Sequence, residues 1–234
     1  MFELKNVNLI YDLGKEDVTH ALRNINFKYD KKGLLGVIGP SGSGKSSVLY
    51  LMSGLKTATS GQIFYKNYEL GKMTSDERAK LRHKEFGFIF QRGYLLEYLS
   101  VLDNVLVPLN SNSEEYIKRA LVLLEKLGIS NLKDKKPYQL SGGQRQRVTI
   151  ARALINNPEV VFADEPTAAL DHKSAFDVMK VFSEYAREKL VIVVTHDKSI
   201  LGEKTDIINI WDGVLNTLNT NRESELEKGL VDRV

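Results

Sequence analysis

The chain has 234 residues, 42% apolar and 27% charged, with no cysteine. That length suits one large α/β domain or two small ones with a real hydrophobic core, and the lack of cysteine excludes disulfide frameworks, thiolate zinc sites and thiol redox chemistry. The net charge of +3 comes from 33 basic and 30 acidic residues interspersed along the chain; a nucleic-acid binder usually gathers its basic residues into a stripe, so no nucleic-acid partner is expected.

Residues 4–11 and 22–29 alternate apolar and polar side chains and predict strands, with residues 12–20 as a polar loop between them. Leu34 to Ile38 is an apolar strand running into a glycine-rich turn, after which Lys45 to Met52 predicts a helix. Short strands are expected at Ile63–Tyr65 and Phe86–Phe90. Glu114 to Leu127 places Ile117, Ala120, Leu121, Leu124 and Leu127 on one face, an amphipathic helix closed by Gly128. Gly142 to Ile155 predicts a second helix, basic on one side. Glu159–Ala163 and Leu190–Thr195 have the β-branched character of buried parallel strands, and a helix over residues 171–188 joins them into a β-α-β unit. Ile207–Trp211 is expected to be the last strand, and the chain turns polar after Asn216. The whole predicts a three-layer α/β core with a helical insert over residues 92–155.

The N-terminus, Met1-Phe2-Glu3-Leu4-Lys5, has no apolar stretch of signal-peptide length. Runs such as Leu190 to Val194 fall far short of the roughly 18 residues that cross a bilayer. A cytoplasmic location is expected, with any membrane role supplied by a partner.

Gly39-Pro40-Ser41-Gly42-Ser43-Gly44-Lys45-Ser46 fits the phosphate-loop pattern G-x-x-x-x-G-K-[ST], following a strand and opening a helix. The glycines let the backbone curl with its N–H groups turned inward onto a β-phosphate. The helix N-terminus adds partial positive charge, Lys45 reaches the β/γ oxygens, and the Ser46 hydroxyl is suited to ligate Mg²⁺. A flexible Gly/Ser turn is the bland alternative, and the flanking strand and helix weigh against it.

Val160-Val161-Phe162-Ala163-Asp164-Glu165 is a buried-type strand ending in two carboxylates. A bend at the strand end lets Asp164 face the Mg²⁺ shell and Glu165 face an attacking water, the two services that phosphoryl transfer needs. A solvated acidic strand end is the bland alternative for the pair standing alone, and the phosphate-type loop upstream in the same chain weighs against it.

Leu140-Ser141-Gly142-Gly143-Gln144 offers another glycine-rich helix start, where Ser141 caps the helix and the following N–H groups make an anion site. This run resembles the signature of ATP-binding-cassette (ABC) ATPases. The resemblance covers about residues 2–215 and implies a P-loop NTPase core of ABC type, with an antiparallel β subdomain and a helical subdomain. It places the nucleotide-binding core in residues 1–91 and 157–215, the helical subdomain in 92–156 and a tail in 216–234.

The same resemblance implies that Ser141, Gly142, Gly143 and Gln144 serve the γ-phosphate held by an opposite subunit, so that ATP lies in a head-to-tail homodimer. Gln91 resembles the glutamine that senses Mg²⁺ and the attacking water; with Ser46 and Asp164 it completes the implied metal set. His196, in Thr195-His196-Asp197, resembles the switch histidine on the γ-phosphate, although a lone histidine at a strand end is more often structural. Asp171, in Ala169-Leu170-Asp171, resembles the loop by which each subunit senses the other's site. Tyr11 matches the aromatic that stacks on adenine, and Ser47 stands in the cradle where the family commonly carries Thr.

The loop before Ala21-Leu22, the run Arg82 to Gln91, and Leu95-Leu96, Asn104-Val105 and Pro108-Leu109 resemble cassettes that export macrolides and peptides or release lipoproteins. Arg92-Gly93-Tyr94 departs from that group, which usually has a Phe-Asn pair there. The implied function is ATP hydrolysis driving integral membrane permease subunits from the inner face of the membrane. A cassette driving cell division or signalling is the alternative left open. A soluble repair or translation ATPase is disfavoured by the single cassette and absent cysteine. A degenerate regulator is disfavoured by the presence of Lys45, Asp164, Glu165 and His196. His20, His83 and His172 lack metal-ligand spacing and read as surface residues.

Overall fold

A computed structural model describes residues 1–12, 18–109, 111–203 and 205–219. In chain order its elements are β1 (Phe2–Tyr11), β2 (Thr19–Tyr29), β3 (Gly33–Ile38), α1 (Lys45–Met52), β4 (Ser60–Tyr65), β5 (Tyr68–Glu69), α2 (Ser75–Glu85), β6 (Phe86–Ile89), α3 (Val101–Leu106), α4 (Glu114–Lys126), α5 (Gly142–Leu154), β7 (Val160–Asp164), α6 (His172–Tyr185), β8 (Leu190–Val194), β9 (Asp206–Trp211) and β10 (Val214–Asn219). The chain forms two compact units, residues 1–78 with Ile192 onward, and residues 79–191.

The first unit contains an antiparallel sheet in the order β2-β1-β4-β5. Strand β1 buries Phe2 and Leu4, then Val7 and Leu9. The three-residue step between the pairs coincides with a register shift and with Asn6 at φ +50°. One extra residue there restores the inward phase, as a β-bulge does. Strand β2 makes the same step, burying Leu22, then Ile25 and Phe27, with Asn24 at φ +48°. Asparagine side chains stitch the two irregular sites together: Asn6 N–H donates to Asn26 Oδ1 at 2.8 Å, and Asn24 N–H donates to Asn8 Oδ1 at 2.8 Å.

In the same unit β3 runs parallel to β9, and β9 pairs antiparallel with β10. The expected last strand is therefore not the last: Asp212 and Gly213, both left-handed at φ +46° and +73°, turn the chain into β10. An Asp-Gly pair between apolar runs is the signal for that hairpin. The predicted loop over 12–20 also shrinks, because Thr19 and His20 already belong to β2; residues 13–17 lie outside the described residues.

In the second unit β6 and β7 run parallel, with Ile89 level with Ala163. Val160 to Ala163 are fully buried, and Phe162 meets Phe86 edge-on and Phe88 face-on at ring distances of 5.1 and 5.7 Å. The predicted β-α-β unit forms: α6 leads from β7 to β8, and the Leu190 N–H donates to the Glu159 carbonyl at 3.1 Å. Helix α4 buries Ala120 and Leu124 and ends where Gly128 turns left-handed at φ +67°.

Two helices lacked an expectation. In α2 only Leu81 is buried, so no apolar stripe announces it. Its start was nevertheless written in Thr74 and Glu77, which exchange hydrogen bonds as a capping box. In α3 the first-turn N–H groups of Val101 and Leu102 donate to the carbonyls of Lys135 and Lys133. The charged side chains of residues 133–136 stay exposed, as expected for a solvated loop. No helix among the described residues is long and apolar enough to cross a membrane.

Candidate active site

Strand β3 delivers the phosphate-type loop to the start of α1. Gly39, at φ +152°, has no room for a side chain: a Cβ there would lie 2.0 Å from the Ile210 carbonyl oxygen. Gly44, at φ +101°, caps α1, and a Cβ there would lie 2.5 Å from the Ala21 carbonyl. The loop is thus threaded between the end of β9 and the start of β2, and only glycine passes at these two points. Gly213 N–H fastens it further by donating to the Ser43 carbonyl at 3.0 Å.

Inside the loop Lys45 is 7% exposed, and its ammonium donates to the Pro40 carbonyl at 2.7 Å. Ser43 is buried, and its Oγ finds no hydrogen-bond partner among the described residues. The buried Lys45 ammonium and the N-terminus of α1 border one hollow suited to phosphate oxygens, and the orphaned Ser43 hydroxyl lies within the same loop, against Gly39. The hollow measures about 500 Å³ and is lined by Tyr11, Gly42, Gly44, Lys45, Ser46 and Ser47 among others. That is within the range of small-molecule sites. The Tyr11 hydroxyl lies 3.3 Å from Ser47 Oγ, and the Lys56 ammonium sits 4.0 Å from the Tyr11 ring centroid. Pro40 and Ser41 are exposed at the loop tip. Also in this unit, Thr195 N–H donates to the Val37 carbonyl at 3.1 Å, so the end of β8 lies beside the end of β3. His196 is exposed one residue further on.

The second unit brings Gln91, Asp164 and Glu165 to one end of two adjacent strands. Because Ile89 pairs with Ala163, Phe90 and Gln91 leave β6 level with Asp164 and Glu165 leaving β7. Asp164 is 5% exposed at its strand end, Glu165 is half-buried, and Gln91 is exposed. Glu165 has φ +49°, the left-handed region that a non-glycine residue enters at a cost of about 1 kcal/mol. The predicted bend therefore exists, and Glu165 is where the backbone makes it. Ser46, Gln91 and Asp164 carry hydroxyl, amide and carboxylate oxygens, hard donors of the kind Mg²⁺ takes.

The same unit holds the signature run. Ser141 caps α5: its Oγ accepts from Gln144 N–H at 3.2 Å, and Gln144 Oε1 accepts from Ser141 N–H at 2.9 Å. A Cβ on Gly143 would lie 3.0 Å from Leu170 Cδ2, so the Ala169-Leu170-Asp171 loop packs on the signature. A Cβ on Gly142 would meet nothing within 4 Å. Asp171 caps α6, taking the Ser174 N–H at 3.0 Å and its hydroxyl at 2.6 Å. Those bonds hold its carboxyl below the usual carboxylate range.

Several neighbours were not singled out from sequence. Arg147 donates to the Leu127 carbonyl at 3.0 Å and to Ser174 Oγ at 2.7 Å. Arg152 donates to the carbonyls of Gly93 and Tyr94, and burial pulls its pKa below the usual value. The helix read as basic on one side thus spends two of its arginines on backbone carbonyls rather than on solvent. Lys56 beneath Tyr11 had no sequence signal. His20, His83 and His172 are exposed, as expected.

Comparisons with known proteins identify the family. Residues 22–168 match the family described as ABC transporter. An uncharacterized ABC transporter ATP-binding protein of Methanocaldococcus jannaschii, MJ1508, is 43% identical over 91% of this chain and 96% of its own length. A macrolide export ATP-binding/permease protein, MacB, of Mannheimia succiniciproducens is 40% identical over 98% of this chain. The chain spans only 38% of that longer protein. Among solved structures, the cassette MJ0796 of Methanocaldococcus jannaschii, a dimer in a post-hydrolysis state bound to ADP and Pi, is 38% identical with a TM-score of 0.87. That match covers 94% of this chain and 98% of the other.

Proposed function

The chain belongs to the ABC transporter family, as one of its ATP-hydrolysing cassettes, and we propose that it cleaves ATP at a seam between two copies of itself and thereby drives membrane permease subunits. The observation that carries this reading is the glycine-threaded loop at the start of α1, where the buried Lys45, with Ser46 and Ser47, lines one hollow of about 500 Å³. In this scheme residues 39–47 bind the phosphates, and the Tyr11 ring takes the adenine. Ser46, Gln91 and Asp164 are the residues that would hold Mg²⁺, and the ion would supply neutralisation of phosphate charge there.

Glu165 orients or deprotonates the attacking water, and His196 stabilises the transferring phosphoryl group. Ser141 to Gln144 of one copy close onto the nucleotide of the other, with Asp171 beside the seam. Closure is the working stroke and hydrolysis resets it, since the γ-phosphate contacts exist only in the closed state. Residues 1–91 and 157–215 would then form the catalytic core, and 92–156 the part that meets the permease. The 40% identity with the macrolide-export relative supports export or extraction of a drug, peptide or lipoprotein, from a station on the inner face of the membrane.

Gly142→Asp tests the seam. Within one chain the position is open, and an acidic residue in the first turn of a helix is favourable. The variant is therefore expected to keep its melting temperature and ATP affinity. It should lose ATP-induced dimerisation and about tenfold or more of turnover, because a carboxylate would oppose the partner's γ-phosphate at close range. Sedimentation velocity with ATP and a phosphate-release assay measure both, and a fully active, dimerising variant would rule the seam out.

A further inference from the structure

We infer that Arg152 is a positioning residue for Gln91: its guanidinium pins the backbone of residues 93 and 94 onto α5 and so fixes where the glutamine presents its amide. This rests on the proposed role of Gln91 and adds the element that holds it in place.

Residues 91–100 contain no regular strand or α-helix, so their path is set by what grips them. On one side of Gln91, the Phe90 ring stacks on Phe88 at 5.7 Å and meets Tyr94 edge-on at 5.7 Å. On the other side, Arg152 Nη2 donates to the Gly93 carbonyl at 2.6 Å and Nη1 to the Tyr94 carbonyl at 2.9 Å. Only Gln91 and Arg92 lie between these grips.

The second grip is closely fitted. A Cβ on Gly93 would lie 2.8 Å from Thr149 Cγ2, one helical turn before Arg152, so the backbone itself rests on α5. Tyr94 is held at φ +45°, a conformation side-chain-bearing residues rarely adopt without support. Further along, the fully buried Asn104 takes the Leu96 N–H and donates to the carbonyls of Leu96, Leu99 and Ser100. On the C-terminal side of Gln91, Arg152 is therefore the nearest side chain among the described residues that hydrogen-bonds the backbone. Lysine cannot reproduce this grip, because its single ammonium lacks the planar fork that reaches two successive carbonyls.

The test is a double-mutant cycle of Arg152→Ala and Gln91→Ala in the full chain, with Arg152→Lys as the milder variant. ATP turnover is measured against Mg²⁺ concentration, and ATP affinity is measured in EDTA. Arg152→Ala is expected to lower kcat about tenfold and to raise the Mg²⁺ concentration for half-maximal turnover by a similar factor, the scale for losing charged hydrogen bonds that hold a catalytic group. Affinity for ATP in EDTA should stay within about twofold, because the phosphate cradle lies in another segment. Arg152→Lys should fall between, and it serves alone if the alanine variant does not fold.

Placed in the Gln91→Ala background, either Arg152 variant should cost less than about twofold more, since the group it positions is gone. Equal losses in both backgrounds would overturn the inference while leaving Gln91's role intact. Wild-type turnover and Mg²⁺ dependence in Gln91→Ala alone would instead remove the role of Gln91, and the inference with it.

Discussion

Glu165→Gln is expected to reduce ATP turnover by about a hundredfold or more while ATP still binds and an ATP-bound dimer accumulates. The substitution keeps side-chain shape while removing the carboxylate's negative charge and with it the capacity to accept a proton. The backbone at position 165 is held at φ +49° by the strand end and the following turn, where Ala168 N–H donates to the Glu165 carbonyl. Glutamine meets much the same backbone demand as glutamate, and a melting curve of the variant separates a loss of chemistry from a loss of fold. With the γ-phosphate uncleaved, the contacts that keep the dimer closed persist, and the closed species builds up. A phosphate-release assay together with size-exclusion chromatography in ATP measures both outcomes. Turnover near the unmodified level would show that another group serves the water.

Lys45→Ala should weaken ATP binding itself by about 10- to 100-fold, the value of one or two charge-assisted hydrogen bonds. Lys45 is 7% exposed and already reaches across the loop to the Pro40 carbonyl, so under the proposed assignment its ammonium needs little rearrangement to meet phosphate oxygens. Little side-chain entropy remains to be lost when the nucleotide arrives. Calorimetric titration with ATP reads the change directly, and a melting curve separates it from instability. The two variants are expected to fail differently, one in binding and the other in chemistry. Unchanged affinity in Lys45→Ala would contradict the assignment of the cradle.

Much of this arrangement was legible in the sequence because it consists of local patterns. The loop from Gly39 to Ser46 carries its own geometry, and the structure gives the reason for its glycines as the carbonyls of Ile210 and Ala21. The buried run Val160 to Ala163 announced its strand, and the Asp164-Glu165 bend followed from where that strand had to stop. Ser141 and Gln144 form the capping box that their spacing allows.

What sequence missed depends on distant partners. Arg152 read as one more basic residue on a helix face, because the carbonyls that engage it are 58 and 59 positions away in the chain. Lys56 met Tyr11 only through folding. Helix α2 escaped because its stripe is nearly all polar, although its capping box was visible in Thr74 and Glu77. Strand β10 escaped because the polarity after Asn216 outweighed the Asp212-Gly213 turn ahead of it.

Reading turnover per molecule across protein concentrations tests the central claim most directly, from dilutions at which sedimentation finds only monomer up to those at which ATP produces dimer. The shared seam predicts that specific activity vanishes at the dilute end and rises with concentration to a plateau that tracks the dimer fraction. Constant specific activity down to purely monomeric solutions would mean that one copy suffices, and the two-copy site would have to be abandoned.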